Sequence, residues 1–214
     1  MKGLFITFEG PEGAGKTTIV EELKKYTEAH GISCIYTREP GGISISEQIR
    51  DIILKEENTL MDGKTEALLF AASRRQHLVE KVIPALNAGK IVICDRFIDS
   101  SLVYQGYARG LTMESVMKVN SFAIEEYMPD ITIYLDIDPE LGLSRILKNN
   151  GREINRLDLE NLDFHKKVRE GYKLLIKEFP NRIIEIDGSK DVEVVFEAVL
   201  DALRKSFEPM GLIL

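Results

Sequence analysis

The segment Gly10–Thr17 constrains the fold of this chain more than any other segment, because it fits the pattern G-x-x-x-x-G-K-[ST]. An apolar run rich in β-formers, Leu4–Phe8, precedes it, and an amphipathic helical stretch to about Ala29 follows it. Glycines let backbone N–H groups turn toward one point, and the N-terminus of the next helix adds positive potential there. This context favours a nucleotide-phosphate site over a plain glycine-rich turn. The residues of the predicted site are Gly10, Pro11, Glu12, Gly13, Ala14, Gly15, Lys16, Thr17 and Thr18.

Two side chains of this loop and one later aspartate have the chemistry to hold a nucleotide with its metal ion. We expect Lys16 to reach the β- and γ-phosphates and Thr17 to ligate Mg²⁺. Asp95 follows four apolar residues, Ile91–Cys94, and a carboxylate in this position holds Mg²⁺ directly or through water. The alternative role of Asp95 is to cap the helix that follows.

The bulk composition is that of an ordinary single-domain protein. The chain has 214 residues, of which 44% are apolar and 29% charged, which predicts one domain over residues 1–214. A net charge of −7 argues against a nucleic-acid partner, since binding nucleic-acid phosphates requires a basic face. No apolar run approaches the length of a membrane span, and the N-terminus lacks a signal-peptide pattern. We therefore expect a cytoplasmic protein with no membrane partner.

Strand-like and helical segments alternate along the chain, which predicts a parallel sheet with helices on both faces. The strand-like runs are Leu4–Phe8, Ser33–Thr37, Ile91–Cys94, Ile131–Leu135 and Ile183–Ile186. The helical stretches lie near Thr17–Ala29, Ile45–Lys55, Thr65–Ala88, Met113–Glu126, Pro139–Lys148, Asn161–Glu178 and Val192–Ser206. The polar segment Asn149–Leu159 predicts a mobile loop between two of these helices.

Three of the five predicted strands are followed by the charged groups that phosphoryl chemistry requires, at the sheet edge where α/β proteins bind ligands. Arg38 and Arg96 follow different strands, so both would point into one cleft and hold a phosphate other than those of ATP. The alternative is that each arginine pairs on the surface with its own neighbour, Glu39 or Asp95. Glu39 would hold a metal-bound water or pair with Arg38.

Two further segments have side chains suited to a nucleic base. Phe70 and Arg74 are four residues apart in a helical stretch, so they share one face and would stack on a base and bond its edge. From these residues alone, a core phenylalanine and a solvated arginine are favoured. The polar segment Ser100–Gly110 contains Gln105, whose amide can pair with a base edge, although an ordinary helix-to-loop transition fits equally.

The loop at 149–159 and the helix before it contain arginines that would serve phosphoryl transfer. This reaction needs positive charge on the transferred group and exclusion of water. The candidates are Arg145, Arg152 and Arg156. A solvated surface loop is the alternative interpretation.

These motifs, in this order, resemble those of the bacterial thymidylate kinase family, and the resemblance covers nearly the whole chain. Its segments are FEGPEGAGKTT at Phe8–Thr18, TREPGG at Thr37–Gly42, LFAASRRQH at Leu69–His77, DRFIDSSLVYQGYARG at Asp95–Gly110, and the stretch 145–158 that ends in NRLD. The resemblance implies a three-layer α/β/α P-loop NTPase fold with a five-stranded parallel sheet and a short lid at about 149–159. It further implies a homodimer that transfers phosphate in line from MgATP to dTMP, giving dTDP for dTTP synthesis.

The resemblance also implies a role for each site residue. Glu12 would contact the 3′-hydroxyl, Tyr104 would crowd the 2′ position, and Phe70 would stack on thymine. The implied catalytic residues are Lys16, Arg38, Asp95, Arg96, Arg152 and Arg156. The implied dTMP contacts are Glu12, Arg38, Glu39, Arg50, Phe70, Arg74, Arg96, Ser101, Tyr104 and Gln105. The implied metal ligands are Thr17, Asp95 and Glu39.

One position departs from the family pattern, and other functions compete with the implied one. Phe97 stands where many relatives have Tyr or His, which removes a polar group without removing a charge. The nearest alternative is a kinase for another nucleoside monophosphate, and a second is a nucleotide-binding module without catalysis. A GTP-dependent switch is disfavoured, because the chain contains neither N-K-x-D nor D-x-x-G.

Overall fold

A sheet of five parallel strands forms the centre of the computed structural model, which describes residues 3–148, 156–157 and 159–207. The strands are β1 (Leu4–Glu9), β2 (Cys34–Arg38), β3 (Ile91–Asp95), β4 (Ile131–Asp136) and β5 (Ile183–Asp187). Their order across the sheet is β2-β3-β1-β4-β5. Each strand runs one residue beyond its predicted apolar run and ends on a charged side chain. The five-stranded parallel sheet predicted from the sequence is therefore confirmed.

Helices cover both faces of this sheet. Their bounds are α1 (Lys16–Ala29), α2 (Ser44–Leu54), α3 (Gly63–His77), α4 (Ile83–Asn87), α5 (Ile98–Ser101), α6 (Met113–Ile124), α7 (Pro139–Lys148), α8 (Leu162–Glu178) and α9 (Val192–Phe207). None of these helices is long and apolar enough to cross a membrane.

Successive side chains of β1 point into two different cores. Phe5 belongs to a buried cluster that includes Val92 and residues of α6 and α8. Ile6, the next residue, belongs to a second cluster that includes Ile93 and residues of α1 and α9. Burial on both faces explains why the strands read as nearly continuous apolar runs. This arrangement confirms the predicted three-layer fold.

The segment after β3 is helical, whereas the sequence also allowed a helix-to-loop transition there. The chain passes from α5 directly into a wider, π-helical segment, Leu102–Ala108. Gly106 lies so close to α6 that an added Cβ would stand 2.9 Å from the Cα of Met113. The glycine therefore permits close packing here and does not break the helix. This segment presents Tyr104 and Gln105 to the interior, both of them buried.

Candidate active site

A cavity of about 1130 Å³ opens at the carboxyl ends of the strands. It extends from the phosphate loop, past β2 and β3, to α3 and the π-helical segment. Most of the predicted site residues line it, namely Glu12, Gly13, Ala14, Gly15, Lys16, Thr17, Thr18, Arg38, Glu39, Arg50, Phe70, Arg74, Asp95, Arg96, Ser101, Tyr104 and Gln105. Residues from at least six separate elements of the fold therefore meet in one space.

The phosphate loop joins β1 to α1 and encloses the side chain of Lys16. The Lys16 ammonium donates to the carbonyl oxygens of Gly10 and Pro11, at 3.0 Å each. Burial, together with the charge of Arg96, lowers the pKa of Lys16 to about 8. Gly13 touches α7 so closely that an added Cβ would lie 2.1 Å from the carbonyl oxygen of Gly142. Helix α7 thus rests directly on the loop.

Thr17 and Asp95 form a pair beside the loop. The Thr17 hydroxyl donates to Asp95 Oδ2 at 3.3 Å. Among the described residues, no partner bonds Asp95 Oδ1, although that atom is buried. A buried carboxylate oxygen without a partner is costly, and oxygen atoms are the ligands that Mg²⁺ prefers. The pair therefore fits a magnesium ion.

Arg96 lies where the chain turns from β3 into α5, with φ at 66°, in the left-handed region. Non-glycine residues adopt this conformation mostly where surrounding contacts enforce it. The Arg96 guanidinium donates to Glu12 Oε1 at 2.8 Å, and the Tyr104 hydroxyl donates to the same oxygen at 3.1 Å. Burial by itself lowers the pKa of Arg96, but the charge of Glu12, together with Tyr104, Tyr172 and Glu9, holds the pKa above its ordinary value. Arg96, Glu12 and Tyr104 thus brace one another in the middle of the cavity.

Arg38 lies near the mouth of the cavity and does not pair with its neighbour Glu39. Its guanidinium donates to Glu47 at 3.1 Å and to the carbonyl oxygen of Pro40 at 3.0 Å. Arg50 donates to the same carbonyl oxygen at 3.1 Å. Glu47 was not identified from the sequence. It lies on α2, nine residues beyond Arg38, and no motif marks it.

A buried ionic network surrounds the side chain of Arg74 on α3. Arg74 is 1% exposed and donates to Glu39 Oε2 at 2.8 Å, and His77 bonds Glu39 Oε1 at 2.9 Å. Arg74 also donates to Ser101 at 3.1 Å and to Asn120. The solvated arginine favoured from the residues alone is therefore wrong for Arg74. Both oxygens of Glu39 are engaged in this network, and its role as a metal ligand remains a prediction.

The far end of the cavity is an apolar pocket with polar side chains at its edge. Phe70 packs with Ile53 and Leu157. Gln105 is 1% exposed, and its amide nitrogen donates to Glu66 at 2.8 Å. Glu66 was not identified from the sequence, although it lies one helical turn before Phe70 on the same face of α3. That spacing is the signal that would have found it.

The three candidate arginines Arg145, Arg152 and Arg156 differ in what the structure shows of them. Arg152 lies outside the described residues. Arg156 is buried: its guanidinium donates to the carbonyl oxygen of Ile53 at 3.0 Å and pairs with Glu66. Arg145 lines the cavity and donates to the carbonyl oxygens of the turn after β5. Arg156 is thus part of a buried ion pair, and its catalytic role remains a prediction.

Comparisons with known proteins agree with this geometry. The thymidylate kinase family model matches residues 8–199. The chain is 64% identical to the thymidylate kinase of Clostridium novyi over 203 residues, covering 95% of this chain and 99% of the relative. It is 59% identical to that of Bacillus velezensis, covering 99% and 100%. A crystal structure of thymidylate kinase from Ehrlichia chaffeensis superposes with a TM-score of 0.76 at 34% identity, covering 95% of this chain and 99% of that one. This chain therefore belongs to the thymidylate kinase family.

Proposed function

We propose that the protein phosphorylates dTMP to dTDP with MgATP, as a step in dTTP synthesis. The observation that carries the proposal is the single cavity, which joins a phosphate loop at one end to a base-sized pocket at the other. Two arginines also line it, Arg38 at the end of β2 and Arg96 directly after β3. A γ-phosphate at the loop and a monophosphate at the arginines would then face each other.

The loop would bind the phosphates of ATP, and the pair beside it would hold Mg²⁺. The Lys16 ammonium, which now bonds two backbone carbonyls, would turn to the β- and γ-phosphates. Thr17 and the unpartnered oxygen of Asp95 would hold the metal ion. When bound, Mg²⁺ would neutralise charge on the β- and γ-phosphates.

The central arginines would hold the 5′-phosphate of dTMP. A guanidinium fork matches phosphate oxygens, and Arg96 is already fixed by Glu12. Arg38 and Arg50 share the Pro40 carbonyl, so both would approach the phosphate from the β2 side. Glu12 and Tyr104, bonded to each other, would lie against the sugar.

The pocket on α3 would accept thymine. Phe70 would stack on the ring. Four of the five N–H groups of Arg74 are used by Glu39, Ser101, Asn120 and the carbonyl oxygen of Phe97. The fifth N–H is left for a base oxygen such as O4. Gln105 would bond the adjacent ring nitrogen.

The reaction would be a direct in-line transfer. An oxygen of the dTMP phosphate would form a bond to the γ-phosphorus, and the bond from that phosphorus to the β-bridging oxygen would break, releasing ADP. The side chains of this chain would contribute position and positive charge and would not become covalently modified. Arg152 would add charge if the lid closes over the site, which would also exclude water. Arg156 would add charge there only by leaving its ion pair with Glu66.

The proposed assembly is a homodimer. Helix α3 packs against both α2 and α6. These helices and the π-helical segment Leu78–Val82 after α3 carry exposed apolar side chains, with Phe122 on α6 being 90% exposed. Exposed apolar surface of this kind is typical of protein–protein interfaces. The other exposed members of this surface are Ile45, Ile52, Leu68 and Val79.

Because the reaction uses ATP, we also infer that the protein acts in the cytoplasm.

The test is ADP production from MgATP with dTMP, dUMP, dCMP, dGMP, dAMP and UMP. We expect strong turnover with dTMP, weaker turnover with dUMP and little with the others. Preference for another monophosphate would retain the phosphate sites and overturn the thymine pocket. ATP binding without any turnover would favour a non-catalytic nucleotide-binding module.

A further inference from the structure

We propose that Glu66 is a positioning residue for base selection, because it fixes the Gln105 amide with its oxygen toward the cavity. Glu66 does not contact the base in this proposal and acts only through Gln105. The proposal rests on the proposed function, since it takes the base of the monophosphate to lie beside Gln105.

The hydrogen bond between Glu66 and Gln105 can form in only one orientation of the Gln105 amide. Glu66 is 1% exposed, and its Oε1 lies 2.8 Å from Nε2 of Gln105. An ionised carboxylate has no hydrogen to give, so it accepts only and must face the NH₂ group of the amide. The opposite orientation would set two acceptors against each other in a buried place, which is costly. The Gln105 oxygen is therefore directed away from Glu66.

Two arginines keep Glu66 in the accepting state. Arg109 donates to its two oxygens at 3.2 and 3.3 Å, and Arg156 pairs with Oε2. Burial alone would raise the pKa of Glu66, but the hydrogen bonds from Gln105 and Arg156 and the charge of Arg109 bring it below its ordinary value. Glu66 thus stays ionised across the physiological range of pH.

The fixed amide presents one acceptor to the ligand. Gln105 lines the cavity, beside Phe70 and Arg74. Thymine and uracil carry an N3–H donor, which complements the amide oxygen. Cytosine has an unprotonated N3, an acceptor, which would face the Gln105 oxygen with no hydrogen between them. A site built in this way selects by leaving the wrong ligand unpaired.

The placement on α3 links Glu66 to the rest of the pocket. Glu66, Phe70 and Arg74 are spaced by four residues, so they follow one another along the same face of the helix. One helix therefore supplies the stacking ring, a donor for the base edge and the carboxylate that orients the acceptor. Arg74 would also discriminate against cytosine, so loss of Glu66 should weaken selection without abolishing it.

The experiment compares kcat/KM for dTMP and dCMP in the unaltered protein and in E66Q. A glutamine at position 66 can donate as well as accept, which frees Gln105 to turn its NH₂ group toward the base. We expect the dTMP-to-dCMP ratio to fall by about tenfold in E66Q, with an absolute gain in kcat/KM for dCMP. The matched control is E160Q. Glu160 makes the same kind of bond to Arg109, at 2.7 Å, and has no bond to Gln105. We expect E160Q to leave the ratio unchanged.

A second comparison tests whether Glu66 acts through Gln105. In a Q105M background the oriented amide is gone, so adding E66Q should change the ratio by less than twofold. If E66Q does not fold, E66D takes its place, because it keeps the negative charge for the arginines and draws the carboxylate back from Gln105.

The outcomes separate this proposal from the proposed function. Equal loss of dTMP and dCMP turnover in E66Q, with an unchanged ratio, would mean a purely structural role and overturn the proposal. An equal effect of E66Q with and without Gln105 would also overturn it. Failure of the unaltered protein to use dTMP would overturn the proposed function itself, so that assay comes first.

Discussion

The two ends of the cavity are built in different ways. The proposed phosphate end is lined largely by consecutive residues, Glu12–Thr18, which include one lysine. The base end is made of side chains that are distant in sequence, held together by buried ion pairs such as Glu39–Arg74 and Glu66–Arg156. We infer from this difference a division of work, in which the two ends of the cavity have separate roles. The phosphate end would govern whether transfer occurs, and the base end would govern which monophosphate is accepted.

The largest expected effect comes from removing the charge at the phosphate end. We expect K16M to lower kcat by about a thousandfold, because the ammonium is the buried positive charge of the loop. Steady-state ADP production measures this. The control is K25M, which removes an exposed lysine from the same helix and should keep full activity. Activity of K16M within tenfold of the unaltered protein would remove Lys16 from the proposed chemistry.

The same variant should be more stable than the unaltered protein at neutral pH. The pKa of Lys16 is about 8 in the folded protein, against an ordinary value of 10.5. A lowered lysine pKa means that the charged form is disfavoured by folding, so the stability cost is fully present below pH 8 and disappears as the pH rises toward 10.5. Thermal unfolding of K16M at pH 7 and pH 10 measures this: the gain over the unaltered protein should shrink at the higher pH. A gain that grows with pH would contradict the assignment.

At the base end the largest effect should be on stability. We expect R74M to lower the free energy of unfolding by about 3–5 kcal/mol, because Glu39 is left as a buried charge without its arginine. The adjacent residue offers a matched control. Arg75 is 39% exposed in its side chain and pairs with Glu125 on the surface, so R75M should cost less than about 1 kcal/mol. If R74M and R75M lose the same free energy of unfolding in urea, the network around Arg74 is not the main stabilising contact.

How much of each end could be predicted from sequence follows from the same difference. The strands are local patterns, and each predicted strand ends within one residue of its end in the structure. The phosphate loop and Asp95 are local patterns too, and their roles remain predictions. The partners of Arg74 lie 35 and 46 residues away, at Glu39 and Asn120. A partner at such distances leaves no periodic signal near the arginine, so the residues alone favoured a solvated side chain. Glu66 pairs with Arg156 across 90 residues. Neither this pair nor the orientation of the Gln105 amide was predicted from the sequence.

Arg38, between the two ends, should affect dTMP more than ATP. Its side chain is 45% exposed and, within the described part of the chain, bonds Glu47 and the carbonyl oxygen of Pro40. We expect R38A to raise KM for dTMP by about tenfold, which corresponds to one charge-assisted hydrogen bond of about 1.4 kcal/mol. The KM for ATP should stay within twofold and acts as the internal control. A parallel rise of both constants would place Arg38 in the ATP site.

The smallest expected effect is a pH dependence of ATP binding. Because Lys16 loses its proton near pH 8, ATP affinity should be roughly fourfold weaker at pH 8.5 than at pH 7, and binding should take up protons. Calorimetry in two buffers of different ionisation enthalpy measures both quantities. Proton release on ATP binding at pH 8.5, or an ATP affinity that does not change with pH, would contradict the lowered pKa of Lys16.

The measurement that tests the division of work most directly is ligand binding to K16M by calorimetry, with dTMP and ATP titrated separately. We predict that dTMP binds within about twofold of its affinity for the unaltered protein, because Arg38, Arg96 and the α3 pocket are unchanged. ATP affinity should fall by more than tenfold, since one buried charge on its phosphates is lost. Equal losses of both affinities would mean that the two ends do not act separately, and would contradict the account.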